Sequence, residues 1–191
     1  MPDAEVKQFQ KEIASRMRMI YPEVEVVDEW RSFRMGRSIY SPELDIAVGP
    51  FAIETNYADR YREMLHKSRR FVNSLLRAHC ENVGETMNHD RLNRLSYENE
   101  NPRCFLAIEI ENTTTMKHLM GSMVNAGALG KIGIAVAWNT PKLKAFLRVR
   151  QYLRFLTEHR KNSFNAGNLL ILSRAQLKNA VDKRVAALAS H

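Results

Sequence analysis

Glu109 and Glu111 stand two residues apart at the end of a run of apolar, strand-forming residues that begins at Cys104. Carboxylates are costly in a buried strand unless a cation or hydrogen bonds hold them. Alternation along a strand puts both on one face, where they can reach one ion or two adjacent ions. A third acid, Asp45, is the only charge within the apolar run Leu44–Val48 and equally needs a partner. Such oxygen donors suit a hard divalent cation, which keeps several of its waters.

The elements that must position these acids can be read from hydrophobic spacing. Cys104–Ile110 and Ile132–Trp138 have strand composition, and the segment between them carries Met116, Leu119, Met120, Met123 and Val124 at helical spacing. The unit Arg103–Trp138 is therefore expected to be strand, helix, strand. Upstream, Val6, Phe9, Ile13, Met17 and Ile20 recur every three or four residues and predict an amphipathic helix over Glu5–Ile20, ended by Pro22. A strand is expected over Val24–Trp30, then a loop or hairpin around Met35-Gly36-Arg37, the short apolar pair Ile39-Tyr40, and the run Leu44–Val48 closed by Gly49-Pro50.

Residues Tyr57 to Tyr97 have few strand signals. One long helix ending near His79-Cys80 and a shorter one over Met87–Tyr97 are expected, with Gly84 between them. After Trp138, Asn139-Thr140-Pro141 has the order of a helix start, with Thr140 as cap and Pro141 at the first helical position. That helix should run to about Arg160, burying Leu143, Phe146, Leu147, Leu153, Phe155 and Leu156. A polar loop with Gly167, a strand over Leu169–Leu172 and a helix over Ser173–Ala189, capped by Ser173, complete the chain. No repeat or linker divides it, so one domain is expected over residues 1–191.

The 29 Lys and Arg against 21 Asp and Glu give a net charge of +8, a profile shared by proteins that meet polyanions and by ordinary basic proteins. Arg60, Arg62, Lys67, Arg69, Arg70 and Arg77 crowd the first middle helix, and Lys142, Lys144, Arg148, Arg150 and Arg154 the helix after Trp138. Each run reads either as a solvated helix face or as a track for a phosphate backbone. No apolar run approaches the roughly twenty residues of a membrane span. The polar start Met1-Pro2-Asp3-Ala4-Glu5 lacks an apolar signal core, so a cytoplasmic protein with reduced Cys80 and Cys104 is expected.

Asp45 on the second strand and Glu109-Ile110-Glu111 on the third resemble the PD-(D/E)-x-K nuclease superfamily, whose restriction-endonuclease-like core is one helix, three strands, a helix and a fourth strand. The resemblance covers roughly Glu5–Trp138. It implies an α/β fold with a central mixed sheet flanked by helices and a helical insertion between the second and third strands. It further implies that Asp45, Glu109 and the backbone carbonyl of Ile110 bind Mg²⁺ or Mn²⁺. Glu12 on the first helix is a further candidate ligand, its alternative being an exposed helix carboxylate.

The sequence departs from the family pattern at Pro42, three residues before Asp45, and at Glu111, which holds the lysine position. Some restriction endonucleases resemble it with an acid or amide there. Glu111 would then bind or orient the attacking water or a second ion, and Lys117, from the following helix, would stabilise the phosphate. The bland alternative makes Glu111 and Lys117 an exposed pair beyond a strand end. The expected function is a metal-dependent nuclease hydrolysing phosphodiester bonds, most naturally in DNA. The phosphate contacts would come from Arg60, Arg62, Lys67, Arg69, Arg70, Lys142, Lys144 and Arg148. The alternative is a catalytically inactive nuclease-like module that binds nucleic acid or a protein, and a homodimer is compatible with either.

Other motifs carry less. Gly127-Ala128-Leu129-Gly130-Lys131 has the wrong spacing and setting for a phosphate loop and reads as a helix end turning tightly into the next strand. His79, Cys80 and His89 lack the paired spacing of a zinc site. Ser122 and His118 lie four apart on a helix, without an acid to complete a triad.

Overall fold

The structure, a computed structural model, describes residues 2–32, 41–52, 55–88, 90–112, 115–161 and 166–190. The expected turn at Met35-Gly36-Arg37, the pair Ile39-Tyr40 and His89 lie outside the described residues. In chain order the elements are α1 (Pro2–Ile20), β1 (Val26–Arg31), β2 (Glu43–Val48), α2 (Ala58–Lys67), α3 (Arg69–Val83), α4 (Asp90–Tyr97) and β3 (Cys104–Glu111). They continue with α5 (Met116–Leu129), β4 (Gly130–Ala137), α6 (Thr140–Glu158), β5 (Leu169–Ser173) and α7 (Arg174–Ala189).

The five strands form one mixed sheet in the order β1-β2-β3-β4-β5. β2 is antiparallel to both its neighbours, and β3, β4 and β5 are parallel. β4 is buried along its whole length and β3 along nearly all of it, which is why each reads in sequence as a near-continuous apolar run. The fold is α/β with helices on both sides of the sheet, and α2–α4 form the expected insertion between the second and third strands.

Side-chain alternation divides the core in two. Ile46, Ile108, Ile134 and Leu170 meet α1 through Ile13 and Met17, α3 through Val72 and Leu75, and α7 through Leu177 and Val181. The opposite face presents Ala47, Ala107, Ala135 and Ala137 to Leu119, Met123 and Ala126 of α5 and Phe146 of α6. This second face is small because α5 lies almost on the sheet. A Cβ on Gly133 would fall 2.6 Å from the backbone carbonyl carbon of Ala126.

Several local expectations change. The long middle helix breaks at Ser68, whose hydroxyl donates back to the Met64 carbonyl at 2.6 Å, a bond that competes with the helical ladder. α6 is capped by Asn139, whose side chain accepts from the Lys142 amide at 3.1 Å, so Thr140 is the first helical residue. Lys142 is only 8% exposed, whereas Phe155, expected in the core, is 53% exposed. Gly84 does end α3, in the left-handed conformation at φ 68°. Gly130 takes the chain from α5 straight into β4, where a Cβ would meet the Ile132 carbonyl oxygen at 2.6 Å. Cys80 and Cys104 are buried thiols, as expected. Among the described residues no helix is long and apolar enough to cross a membrane.

Ser173 caps α7 in a reciprocal box, its hydroxyl accepting from the Gln176 amide at 3.2 Å while Gln176 Oε1 accepts from the Ser173 amide at 2.8 Å. Ser173→Ala should therefore lower stability by about 1 kcal/mol. The measurement is a shifted denaturation midpoint with an unchanged m-value.

Candidate functional site

The pairing of β2 with β3 brings the acids together. The register Ile46 opposite Ile108, continued one step, sets Asp45 against Glu109, and opposed residues of an antiparallel pair share a face. That face is the one covered by α5. The carboxylate of Asp45 accepts a hydrogen bond from the Ile110 amide at 2.6 Å, so it sits at the peptide joining Glu109 to Ile110. Beneath it, Gln10 of α1 donates to the Asp45 carbonyl at 2.8 Å and locks the backbone of the strand.

Glu109 is buried. Burial and the neighbouring Asp45 charge push its carboxyl well above the ordinary range, against the opposing effects of Asn125 and the Asp45 amide. Asp45 is pushed up to about 6, chiefly by burial, with the Ile110 amide opposing and the Glu111 and Glu29 charges adding to the rise. A half-buried and a buried acid side by side, both resisting ionisation, are the arrangement a cation would relieve.

Glu111 is half-buried and accepts a hydrogen bond from the Ser122 hydroxyl at 3.0 Å. Ser122 and Asn125 are one helical turn apart on α5; Ser122 donates to Glu111, and Asn125 opposes the rise of the Glu109 pKa. The spacings match. Three residues of helix rise about 4.5 Å and two of strand about 6.6 Å, and α5 runs back along β3 so that its earlier residue meets the later glutamate. Sequence reading missed Ser122 and Asn125 in this role. The available signal was a polar pair at i and i+3 on the helix following an acid pair at i and i+2 on the strand. Glu111 does supply an acid beside Ser122, but the contact is direct, with no histidine relay between them.

The remaining candidates lie elsewhere. Glu12 is engaged by Lys178 and by Arg16 at 3.2 Å, on the side of α1 that faces α7. Lys117 is exposed in the first turn of α5, about 7–8 Å along the helix axis from Ser122. The cation whose field reaches Asp45 is Lys7 of α1, which is paired with Glu29. Glu29 is itself unusual, a non-glycine residue at φ 54° within β1, in line with Asp45 across the sheet.

The cations expected to follow a phosphate backbone divide between the two faces. Arg60, Arg62, Lys67, Arg69 and Arg70 are exposed on α2 and α3, whose buried residues belong to the core opposite the carboxylates. Arg62 is paired with Asp59, and Lys67 with Glu63. Lys144 and Arg148 are exposed on α6, which packs on the carboxylate face. The burial of Lys142 removes it from the open phosphate-contacting set.

As a metal centre, the donor set is all oxygen. Among the described residues no three His, Cys, Asp or Glu side chains converge on one point, and Glu111 accepts from Ser122. What remains is the pair Asp45 and Glu109, and one or two carboxylates with several waters is how Mg²⁺ is commonly held. No family model, curated protein or solved structure is significantly similar to this chain, so a functional reading rests on the geometry of these residues.

Proposed function

We propose that the protein is a metal-dependent nuclease acting on phosphodiester bonds, most naturally those of DNA, and that it is akin to the PD-(D/E)-x-K enzymes. The observation that carries this reading is the apposition of half-buried Asp45 and buried Glu109 on neighbouring strands, both resisting ionisation. The order α1, β1, β2, β3, α5, β4 agrees with the helix, three strands, helix and strand that the resemblance implies.

Asp45 and Glu109 would hold Mg²⁺ or Mn²⁺. A divalent ion there supplies charge neutralisation for a phosphate oxygen and acidifies a bound water. The chain's own residues do the positioning. The Ile110 amide fixes the orientation of Asp45, and Asn125 favours the charged form of Glu109. Glu111, steadied by Ser122, would orient a water. Lys144 and Arg148 offer phosphate contacts from the same side of the sheet.

A second reading, a nuclease-like module without catalysis, is favoured by one specific observation: the lysine position is Glu111, already occupied by Ser122. Incubation with plasmid and Mg²⁺ or Mn²⁺, beside Glu109→Ala, separates the two. Cleavage lost in the variant supports the enzyme. Salt-dependent binding to DNA without metal-dependent cleavage supports the module.

A further inference from the structure

Away from the carboxylates, two strands beyond Glu109, a cavity of about 190 Å³ opens beside β5, between α3, α4 and α6. Its polar lining includes His79, Arg91, Arg94 and Arg150, and its apolar wall includes Leu76 and Leu95. None of these residues takes part in the proposed nuclease site.

His79 is 4% exposed. Its Nδ1 accepts a hydrogen bond from the Ile171 amide at 2.9 Å, which places the proton of the neutral ring on Nε2. Burial, with Arg150 and Arg91 adding, pushes its pKa down to about 4, so the ring is neutral at physiological pH. Among the described residues Nε2–H has no hydrogen-bond partner. Nε2 is not among the fully buried atoms that lack a partner, so this donor keeps access to the cavity that His79 lines.

The guanidiniums beside it outnumber their partners. Glu85 alone receives Arg91, Arg150 at 2.7 Å and Arg154 at 3.2 Å. The second bond of Arg91 goes to the Cys80 sulfur at 2.9 Å, a weak acceptor. Arg94, exposed at the rim, makes no ion pair among the described residues. The one acid lining the cavity, Glu98, abuts Gly167, where a Cβ would lie 2.5 Å from its Oε1. Arg154 also pairs with Glu158 at 3.4 Å, so four guanidiniums stand against three carboxylates around a partly desolvated space. A purely structural network would balance its charges, since leaving cations in excess at low dielectric is unfavourable.

We propose that this cavity is a binding site for the phosphate group of a small organic phosphate, held by His79 Nε2–H and the Arg91, Arg94 and Arg150 guanidiniums, with its organic part against Leu76 and Leu95. A phosphate monoester answers the excess positive charge and accepts donors from several directions at once, matching the fork of arginine and the single N–H of the imidazole. The group can come from a free nucleotide or from the phosphorylated end of a strand.

The test is calorimetric titration of the full chain with inorganic phosphate, a nucleoside monophosphate, and one oligonucleotide prepared with a 5′-phosphate and with a 5′-hydroxyl. His79→Asn retains an acceptor for the Ile171 amide and loses the donor to the cavity. Arg94→Gln changes an exposed side chain and leaves the fold intact. Saturable binding of the monophosphate is expected, weakened by about tenfold or more in His79→Asn and several-fold in Arg94→Gln. Preference for the phosphorylated over the hydroxyl oligonucleotide assigns the ligand to strand ends. Equal behaviour of the two oligonucleotides, with the monophosphate still bound, assigns it to free nucleotides. Absence of saturable binding of any phosphate at millimolar concentration overturns the proposal. So does wild-type affinity in both variants, or equal affinity for a dicarboxylate.

Discussion

Glu109→Gln is expected to abolish metal-dependent cleavage and, in the same molecule, to raise the melting temperature of the metal-free protein. Loss of a charged ligand at the reacting centre should cost on the order of 10³-fold in rate. The gain in stability has the same origin, because Glu109 is buried beside Asp45 and its charged form is disfavoured there. Gln keeps the shape and removes the charge. Melting in EDTA at pH 8 checks the gain, and Mg²⁺ should raise the melting temperature of the wild type while leaving the variant where it was. A variant that melts lower than the wild type in EDTA and still cleaves would sink the charged-pair account.

Asp45 gives the same account a pH dependence. With its folded pKa near 6 against an ordinary 3.8, the native protein holds a proton that the unfolded chain has already released. The stability from this group is thus complete below about pH 4 and is lost as pH rises through about 6, a change of about 3 kcal/mol. Asp45→Asn keeps an acceptor for the Ile110 amide and should flatten that part of the stability curve.

Gly133→Ala should be severe for a residue so far from any charge. The added Cβ would lie 2.6 Å from the carbonyl carbon and oxygen of Ala126 and 2.8 Å from the Gly127 nitrogen, all backbone atoms that cannot rotate away. Helix α5 must lift, at a cost of about 3 kcal/mol. Ser122 and Asn125 move with it, so cleavage should fall further than the loss of folded protein explains. Gly121 on the same helix is the control. A Cβ there meets nothing within 4 Å, and Gly121→Ala should be stabilising by about 1 kcal/mol. Denaturant titrations of the two variants, with cleavage rates normalised to folded protein, make the comparison.

The strands and most helices were legible in the sequence because β3 and β4 are buried on both faces and α1 on one, so their burial patterns carry their periods undisturbed. Asp45 and Glu109 were legible for a related reason: a charge stands out against an apolar run. Their neighbours were not. Ser122, Asn125 and Gln10 lie on helices, and which turn of a helix meets which strand residue depends on how closely the two can pack. That closeness is set by Gly133 and the alanines of the second face, a long-range property. The break at Ser68 depended on a side chain turning back to the Met64 carbonyl, and the burial of Lys142 and exposure of Phe155 on the angle at which α6 crosses the sheet. Periodicity reports none of these.

The spatial order of the strands, identical to their order along the chain, has a kinetic consequence. No strand must be threaded between two others, so the sheet can grow outward by edge addition, as each segment leaves the ribosome. The longest interval between neighbouring strands is residues 49–103, between β2 and β3, and its closure carries the largest entropic barrier. Asp45 and Glu109 lie on the two sides of that interval. The carboxylate pair is therefore created at the slowest pairing step, and the collapse of α2, α3 and α4 sets the moment at which it comes into existence.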